Sequence, residues 1–146
     1  MIYAKNKKAF HDYEILERFE AGIQLLGQEV KSVRNGNISL KGSYVTMTGG
    51  GAQLLNATIA KYPYAGPLPG YKPDRTRILL LSKKEIAYLT GKAQEKGLTI
   101  VPLSVYTKGR LIKVEISVAR GKKTHDKRES LRRRDQDREM KRALKA

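Results

Sequence analysis

The sequence predicts a mainly β protein with flanking helices: a small, closed antiparallel barrel followed by a basic tail. Through residue 119, apolar residues occur in short alternating bursts, which is typical of half-buried strands. Gly and Asn fall between these bursts, where hairpin turns and helix ends need them. Residues 120–146 carry 12 Lys and Arg, five Asp and Glu and no aromatic residue. Such a segment has too few apolar groups to build a core.

The first elements are predicted from local patterns. Residues 13–15 and 23–25 are predicted strands, with a hairpin-like turn at residues 20–22 between them. A short helix fits residues 28–34. The pair Asn35-Gly36 is favoured at a helix C terminus, so we expect the helix to stop there.

The middle of the chain is predicted to contain a hairpin and a long loop. Residues 43–48 and 52–62 are predicted strands around Gly49-Gly50-Gly51, a turn that needs positive φ. Residues 62–73 hold four of the five prolines and two glycines, which indicates a loop.

The last elements complete the barrel. Residues 76–81 are predicted as a buried strand, and Ser82-Lys83-Lys84-Glu85 has capping-box spacing for a helix to about Lys96. Residues 98–106 and 110–119 are predicted to pair as a hairpin. Six or seven antiparallel strands with two or three helices indicate a small closed barrel, so we expect a body over residues 1–119 and a tail over residues 120–146.

The charge indicates a polyanionic partner. The formal net charge is +16 in 146 residues, and such a chain repels itself unless it binds an anion. No apolar run approaches the roughly 18 residues that span a bilayer, and residues 1–11 are too polar for a signal peptide. Cys is absent, which excludes disulfides, thiolate zinc sites and Cys nucleophiles. We therefore expect a cytoplasmic protein that binds nucleic acid.

The tail is predicted to be disordered when free and to form a helix on its partner. Its composition favours helix, with no Gly or Pro after Gly121. A helix drawn through it has no apolar stripe, which argues against binding to a membrane surface.

No enzyme signature, metal site or cofactor site is predicted. The triple glycine lacks the Lys-Ser/Thr of a phosphate-binding loop. His11 and His125 are the only imidazoles, and His11 and Asp12, if they lie on a strand, point to opposite faces. No segment offers ligands at a spacing that suits a metal. A histidine-dependent ribonuclease stays open as an alternative.

Two groups of basic residues differ from ordinary surface lysines. Asn6-Lys7-Lys8 lies near a predicted turn, and Lys31 and Arg34 lie three apart on a short helix, where both reach one way and suit two phosphates. The eight tyrosines offer stacking surface for bases, although they are equally ordinary in a barrel.

Several segments of the sequence resemble those of the small protein B family, the SsrA-binding proteins. The matching residues lie in the same order and spacing over essentially the whole chain: 6–13, 20–23, 27–34, 74–77, 79–81, 102–103, 121–123 and 126–128. Gly51, Ser82 and His125 depart from the family pattern.

The resemblance implies an oligonucleotide-binding-type barrel with flanking helices and a basic tail. It also implies that the protein binds the tRNA-like domain of transfer-messenger RNA (tmRNA) and delivers it to stalled ribosomes for trans-translation. The expected partners are this RNA and the ribosomal decoding region and message channel, with elongation factor Tu and alanyl-tRNA synthetase reached through the RNA. We expect a monomer. A generic ribosomal or single-strand RNA-binding protein is the alternative.

The resemblance also implies which residues act. In the body, the residues expected to face RNA are Asn6, Lys8, Glu29, Lys31 and Arg34. Glu29 can accept hydrogen bonds from base amino groups or a 2′-hydroxyl, but capping or local pairing with Arg34 is equally compatible with the sequence. The residues expected to engage the ribosome are Lys122, Lys123, His125, Asp126, Lys127, Arg128, Arg132, Arg133 and Arg134.

Overall fold

The computed structural model describes residues 1–122, which form nine strands and three helices. Residues 123–146, and with them most of the predicted tail, lie outside the described part. The elements are β1 (Ile2–Lys5), α1 (Lys7–Asp12), β2 (Tyr13–Ile23), α2 (Gly27–Arg34), β3 (Ile38–Ser39), β4 (Tyr44–Thr48), β5 (Gly51–Leu55), β6 (Thr58–Ile59), β7 (Arg77–Leu80), α3 (Lys83–Gln94), β8 (Leu98–Lys108) and β9 (Leu111–Gly121).

Seven strands form one antiparallel sheet in the order β1-β8-β9-β2-β7-β5-β4, and β3 and β6 pair separately. The mainly β, antiparallel architecture is thus as predicted. Closure is not: the ladder of this sheet is open, with β1 and β4 at its edges. Helix α3 packs on β4, β8 and β9, and its Leu89 is fully buried in the core. The helix therefore lies against the edge strand β4, which a closed barrel would pair with another strand.

Strand β2 corrects the turn predicted at residues 20–22. These residues continue the ladder with β9, with Glu20 opposite Glu115 and Gly22 opposite Lys113. Gly22 is needed for a close approach: a Cβ built there would lie 3.2 Å from Leu80 Cβ on the neighbouring β7. The glycine that resembled a turn signal thus permits strand packing.

The three predicted motifs around turns and caps are confirmed. Helix α2 ends at Arg34, with Gly36 at φ 81°. Gly49 and Gly50 have φ of 57° and 77° in the hairpin between β4 and β5. Ser82 and Glu85 form the capping box of α3.

Other elements differ from the sequence prediction. Strand β7 is buried on one face only, since Arg77 and Leu79 point inward while Ile78 and Leu80 are about half exposed. The segment predicted as a strand over residues 52–62 is divided at Asn56, whose φ is 62°, so that β5 and β6 belong to different sheets. None of the helices within residues 1–122 is long and apolar enough to cross a membrane.

Candidate nucleic-acid interface

A buried carboxylate organises one end of the molecule. Glu29 lies in the first turn of α2 and is fully buried. One of its oxygens accepts a hydrogen bond from the Leu26 backbone N–H at 2.8 Å, which caps the helix. Such a carboxylate is stable only if the remaining lone pairs also find donors.

Two arginines supply those donors. Arg77, itself fully buried, donates to Glu29 Oε2 from Nη2 at 2.6 Å and from Nε at 3.2 Å. Arg75 donates to Oε2 from Nε at 3.1 Å and forms an ion pair with Oε1 through Nη2. The Tyr71 hydroxyl lies 3.0 Å from Glu29 Oε2. We call these four residues the Glu29 cluster.

Burial alone would raise the pKa of Glu29, but the hydrogen bonds from Arg75, the Leu26 backbone and Arg77 outweigh it and hold this pKa at about 2. The carboxylate is therefore ionised at neutral pH, and both of its oxygens accept hydrogen bonds from groups within the protein. Of the roles that the sequence left open for Glu29, capping is present. Its ionic partners are Arg75 and Arg77 rather than Arg34, and its oxygens are not exposed for a direct RNA contact.

The cluster positions a basic surface around α2. Lys31 and Arg34 are exposed on α2. They extend toward different loops: Lys31 Nζ lies 5.5 Å from the ring centroid of Tyr62, and Arg34 Nη2 donates to the Arg110 carbonyl at 2.8 Å. We call Lys31, Arg34, Tyr62, Arg75 and Arg110 the α2 face. The predicted pair of cations is thus present, and it spans two loops.

Sequence reasoning did not assign Arg75 or Arg110 to the site. Arg75 keeps about a third of its side chain exposed beside α2, at 32%, although it is 46 positions from Glu29. The segment Asp74-Arg75-Thr76-Arg77 was part of the family resemblance, and that was the available signal. Arg110 sits in the turn between β8 and β9, where only the fold shows its proximity to Arg34.

Asn6 and Lys8, which were predicted to share the RNA-facing surface, lie at the other end of β2. Asn6 is largely buried and caps α1: its Oδ1 accepts from the Ala9 N–H at 3.2 Å, and its Nδ2 donates to the Pro102 carbonyl at 2.9 Å. Lys8 is exposed at a shallow cleft. The cleft is lined by a group of lysines that we call the α1 end: Lys5, Lys7, Lys8 and Lys41.

The chain leaves the described region at this α1 end. Lys122 N–H donates to the Asp12 carbonyl at 2.9 Å, and Lys122 Nζ donates to the Phe10 carbonyl at 3.3 Å. The residues predicted to engage the ribosome therefore begin beside α1, next to the first residue of β2, whereas α2 follows the last residue of that strand. Apart from Lys122, they lie outside the described residues: Lys123, His125, Asp126, Lys127, Arg128, Arg132, Arg133 and Arg134.

His11 and Asp12 correct another expectation. They belong to α1 and not to a strand, so His11 Nδ1 and Asp12 Oδ1 are 2.9 Å apart. His11 Nε2, however, is buried without a hydrogen-bond partner among residues 1–122. The nitrogen that a general base would use is thus closed to water and RNA. Within the same residues, no group of three or more His, Asp or Glu side chains could hold a metal ion.

Comparisons with known proteins agree on one family. The family model described as SmpB protein matches residues 3–146. The SsrA-binding protein of Microcystis aeruginosa is 51% identical over 144 residues, which cover 99% of this chain and 94% of that protein. The SsrA-binding protein of a Sulfurihydrogenibium species is 53% identical with the same coverage. A solved structure of tmRNA-SmpB, from work on the bacterial ribosome, is 45% identical with a TM-score of 0.69, over 88% of this chain and 94% of that one.

Proposed function

Since this chain belongs to the SmpB protein family, we infer that it is an SsrA-binding protein, which binds tmRNA and delivers it to stalled ribosomes for trans-translation. It is an RNA-binding protein and not an enzyme. The peptide transfer in such a reaction belongs to the ribosome, so the protein has to supply recognition and position only. Its place of action is then the bacterial cytoplasm.

The observation that carries the proposal is the α2 face. Residues 24–80 contain seven Lys and Arg against two acidic residues, Glu29 and Asp74. Glu29 is buried and forms ion pairs with Arg75 and Arg77, so its negative charge is neutralised inside the protein. It therefore does not offset the positive charge of the exposed residues on the α2 face. A folded RNA presents phosphates and 2′-hydroxyls at its surface while its deep groove hides the bases, so this surface suits recognition of a tRNA-like domain by shape and backbone.

We assign the two ends of β2 different tasks. The α2 face holds the RNA through Lys31 and Arg34, and Glu29 positions that face. The α1 end carries Lys8 and the start of the tail. The division into a body and a basic tail follows the same arrangement. Because β9 runs to Gly121, the body extends two residues beyond the boundary at residue 119.

The architecture that best fits this role is an oligonucleotide-binding-type barrel. The edge strand β4 packs against β8 without strand pairing, and α3 covers the junction, which supports a barrel-like enclosure. Elongation factor Tu and alanyl-tRNA synthetase would then act on the RNA, on surfaces that the protein leaves free.

The experiment is a titration of tmRNA at several salt concentrations. Changing Lys31 and Arg34 together to Ala should weaken binding and lower the slope of log affinity against log salt by about 0.7 to 0.9 for each lost phosphate contact. The matched control is Lys83→Ala with Lys84→Ala, two exposed lysines at the start of α3, which should leave the slope unchanged.

Two outcomes would contradict the proposal. If both double variants lose affinity equally, binding reflects overall charge and not the α2 face. If the parent binds an unstructured RNA of the same length as tightly as tmRNA, the generic single-strand RNA-binding protein is the better description.

A further inference from the structure

The loop between β6 and β7 presents an aromatic ring to solvent. Tyr64 is 86% exposed. No other large hydrophobic residue in the described chain is as exposed, and Met1 follows at 83%. An exposed tyrosine by itself needs no explanation. This one differs because the loop around it is tied to α2 on both sides, through Gln28 and Glu29.

The first anchor lies just before Tyr64. The Tyr62 backbone N–H donates to Gln28 Oε1 on α2 at 2.9 Å, and the Ala65 N–H closes a turn onto the Tyr62 carbonyl at 3.1 Å. Pro63 lies inside that turn, and its ring restricts the backbone further. The backbone on either side of Tyr64 is therefore held in a turn that is tied to α2.

The second anchor lies after Tyr64. Tyr71 places its hydroxyl 3.0 Å from Glu29 Oε2 and 2.9 Å from the Ile59 carbonyl, so the Glu29 cluster also holds the far side of the loop. A segment that is tied at both ends has less entropy to lose when a ligand orders it.

The rings form a short row that ends in a cation. Tyr62 and Tyr64 meet edge to face, with ring centroids 5.6 Å apart and planes at 67°. Lys31 Nζ lies 5.5 Å from the centroid of the Tyr62 ring. The order along the surface is thus Tyr64, Tyr62, Lys31.

The charge around this row favours a phosphate backbone. The part of the loop that holds both rings has no acidic residue between its lysines Lys61 and Lys72, and the loop's single carboxylate, Asp74, follows Lys72. Aromatic rings beside basic side chains are the combination with which proteins bind unpaired nucleotides, since a ring stacks on the base and a cation contacts its phosphate. A protein partner with an acidic surface would use the cations but would gain little from a planar ring.

We propose that Tyr64 is a stacking platform for one unpaired base of the bound RNA, with Lys31 at the neighbouring phosphate. The inference rests on the proposed function, because the RNA is the one that the α2 face holds. On this proposal the loop over residues 60–76 contacts a looped-out nucleotide. Lys31 and Arg34, in contrast, contact the RNA backbone whether or not its bases are paired. Stacking of this kind is tolerant of base identity.

The test compares Tyr64→Ala with Tyr64→Phe in binding to tmRNA. Loss of one stacked base should weaken binding about tenfold in Tyr64→Ala, and Tyr64→Phe should bind as the parent does, because the ring is kept. Tyr88→Ala is the matched control: Tyr88 is 41% exposed on α3, and its hydroxyl donates to Glu17, whose carboxylate repels RNA. It should leave affinity unchanged.

A second measurement identifies the base. 2-Aminopurine placed in turn at the unpaired positions of the tRNA-like domain should lose fluorescence on binding at one position, and that loss should disappear in Tyr64→Ala. Binding to a fully paired RNA duplex should not change in this variant. Since Tyr64 is exposed, its variants should unfold at the same urea concentration as the parent.

Several results would overturn the inference. Equal affinity of Tyr64→Ala and the parent would show that no base stacks there, and equal losses on tmRNA and on the duplex would show a backbone contact instead. If Tyr64→Phe is as weak as Tyr64→Ala, the hydroxyl and not the ring makes the contact. These outcomes leave tmRNA binding by the parent intact, whereas a parent that fails to bind tmRNA contradicts the proposed function itself.

Discussion

At the scale of single residues, Glu29 shows how a charged side chain serves a binding surface without touching the ligand. Its carboxylate accepts from two guanidiniums and one backbone N–H, and it ties α2 to Arg75 just before β7 and to Arg77 at the start of that strand. Removing one partner of a buried ion pair costs more than the pair contributes, because the remaining charges stay buried without compensation. Arg77 would be left in that state.

We expect Glu29→Gln to lower the free energy of unfolding by roughly 3 to 5 kcal/mol at neutral pH. The pKa of Glu29 is lowered from 4.5 to about 2 in the folded protein, so its ionised form stabilises the fold above pH 4.5. This contribution is lost as the pH falls from 4.5 toward 2. The parent should therefore lose stability across that interval, and Glu29→Gln should lose less.

Urea unfolding at a series of pH values measures both effects. Glu95→Gln is the control, because Glu95 is 53% exposed and its pair with Lys92 should contribute little. A Glu29→Gln protein with the stability and the acid sensitivity of the parent would show that the Glu29 cluster does not hold the fold.

At the scale of elements, the sequence predicted what depends on neighbours along the chain. Helix α2, the capping box of α3 and the glycine hairpin follow from local patterns. Helix α1 has six residues, too few to show a helical period, and β3 and β6 have two each. Gly22 was taken for a turn because the close approach of Leu80 depends on β7, which is more than fifty positions away in the sequence.

The same reasoning applies to the candidate site. Lys31 and Arg34 could be grouped from the sequence because they share a short helix. The burial of Glu29 was not, because its partners come from a distant segment and no local pattern distinguishes a buried carboxylate from an exposed one. Asn6 was predicted to face RNA, and in the structure its side chain caps α1, a role that depends on the start of this short helix.

Substitutions of Asn6 separate the contributions of two hydrogen bonds that hold the start of α1. Asn6→Ala removes the cap of Ala9 and the hydrogen bond to the Pro102 carbonyl, and should cost about 2 kcal/mol. Asn6→Ser keeps an acceptor for the cap but lacks the amide that donates to the Pro102 carbonyl, so its stability should lie between those of Asn6→Ala and the parent. Urea unfolding gives the order. Exchange of the Ala9 amide hydrogen should be faster in Asn6→Ala than in Asn6→Ser, and equal rates would contradict the capping role.

At the scale of the whole molecule, β2 separates two basic regions. The α2 face is built around the helix that follows its last residue. The α1 end, apart from Lys41, precedes its first residue and lies beside the point where the chain leaves the body. We therefore expect the two regions to contact different RNAs. Residues 1–119 alone carry nine more Lys and Arg than Asp and Glu, so the body has enough charge to attract RNA without the tail.

This separation predicts that deletion of residues 123–146 abolishes ribosome rescue and spares most tmRNA binding. The deletion begins after Lys122 because that residue bonds to Asp12 and Phe10 and belongs to the body. Loss of the basic tail removes some long-range attraction, and the difference in affinity between the deleted and full-length proteins should shrink as salt rises, since the Debye length falls from about 10 Å at 0.1 M to about 3 Å at 1 M. The two assays are tmRNA titration and tagging of a peptide on a ribosome stalled at the end of its message.

The matched control for the deletion is a chain in which the order of residues 123–146 is reversed. Composition and net charge are then identical, and only the arrangement of side chains along the tail differs. We expect the reversed tail to restore the salt-dependent part of tmRNA affinity, because that part depends on charge alone. It should not restore tagging, because a message channel lined by ribosomal RNA offers phosphates at fixed positions that the tail has to match in sequence. If the reversed tail supports tagging as well as the natural one does, the tail acts only as a polycation and the division of tasks between the two ends of β2 is wrong.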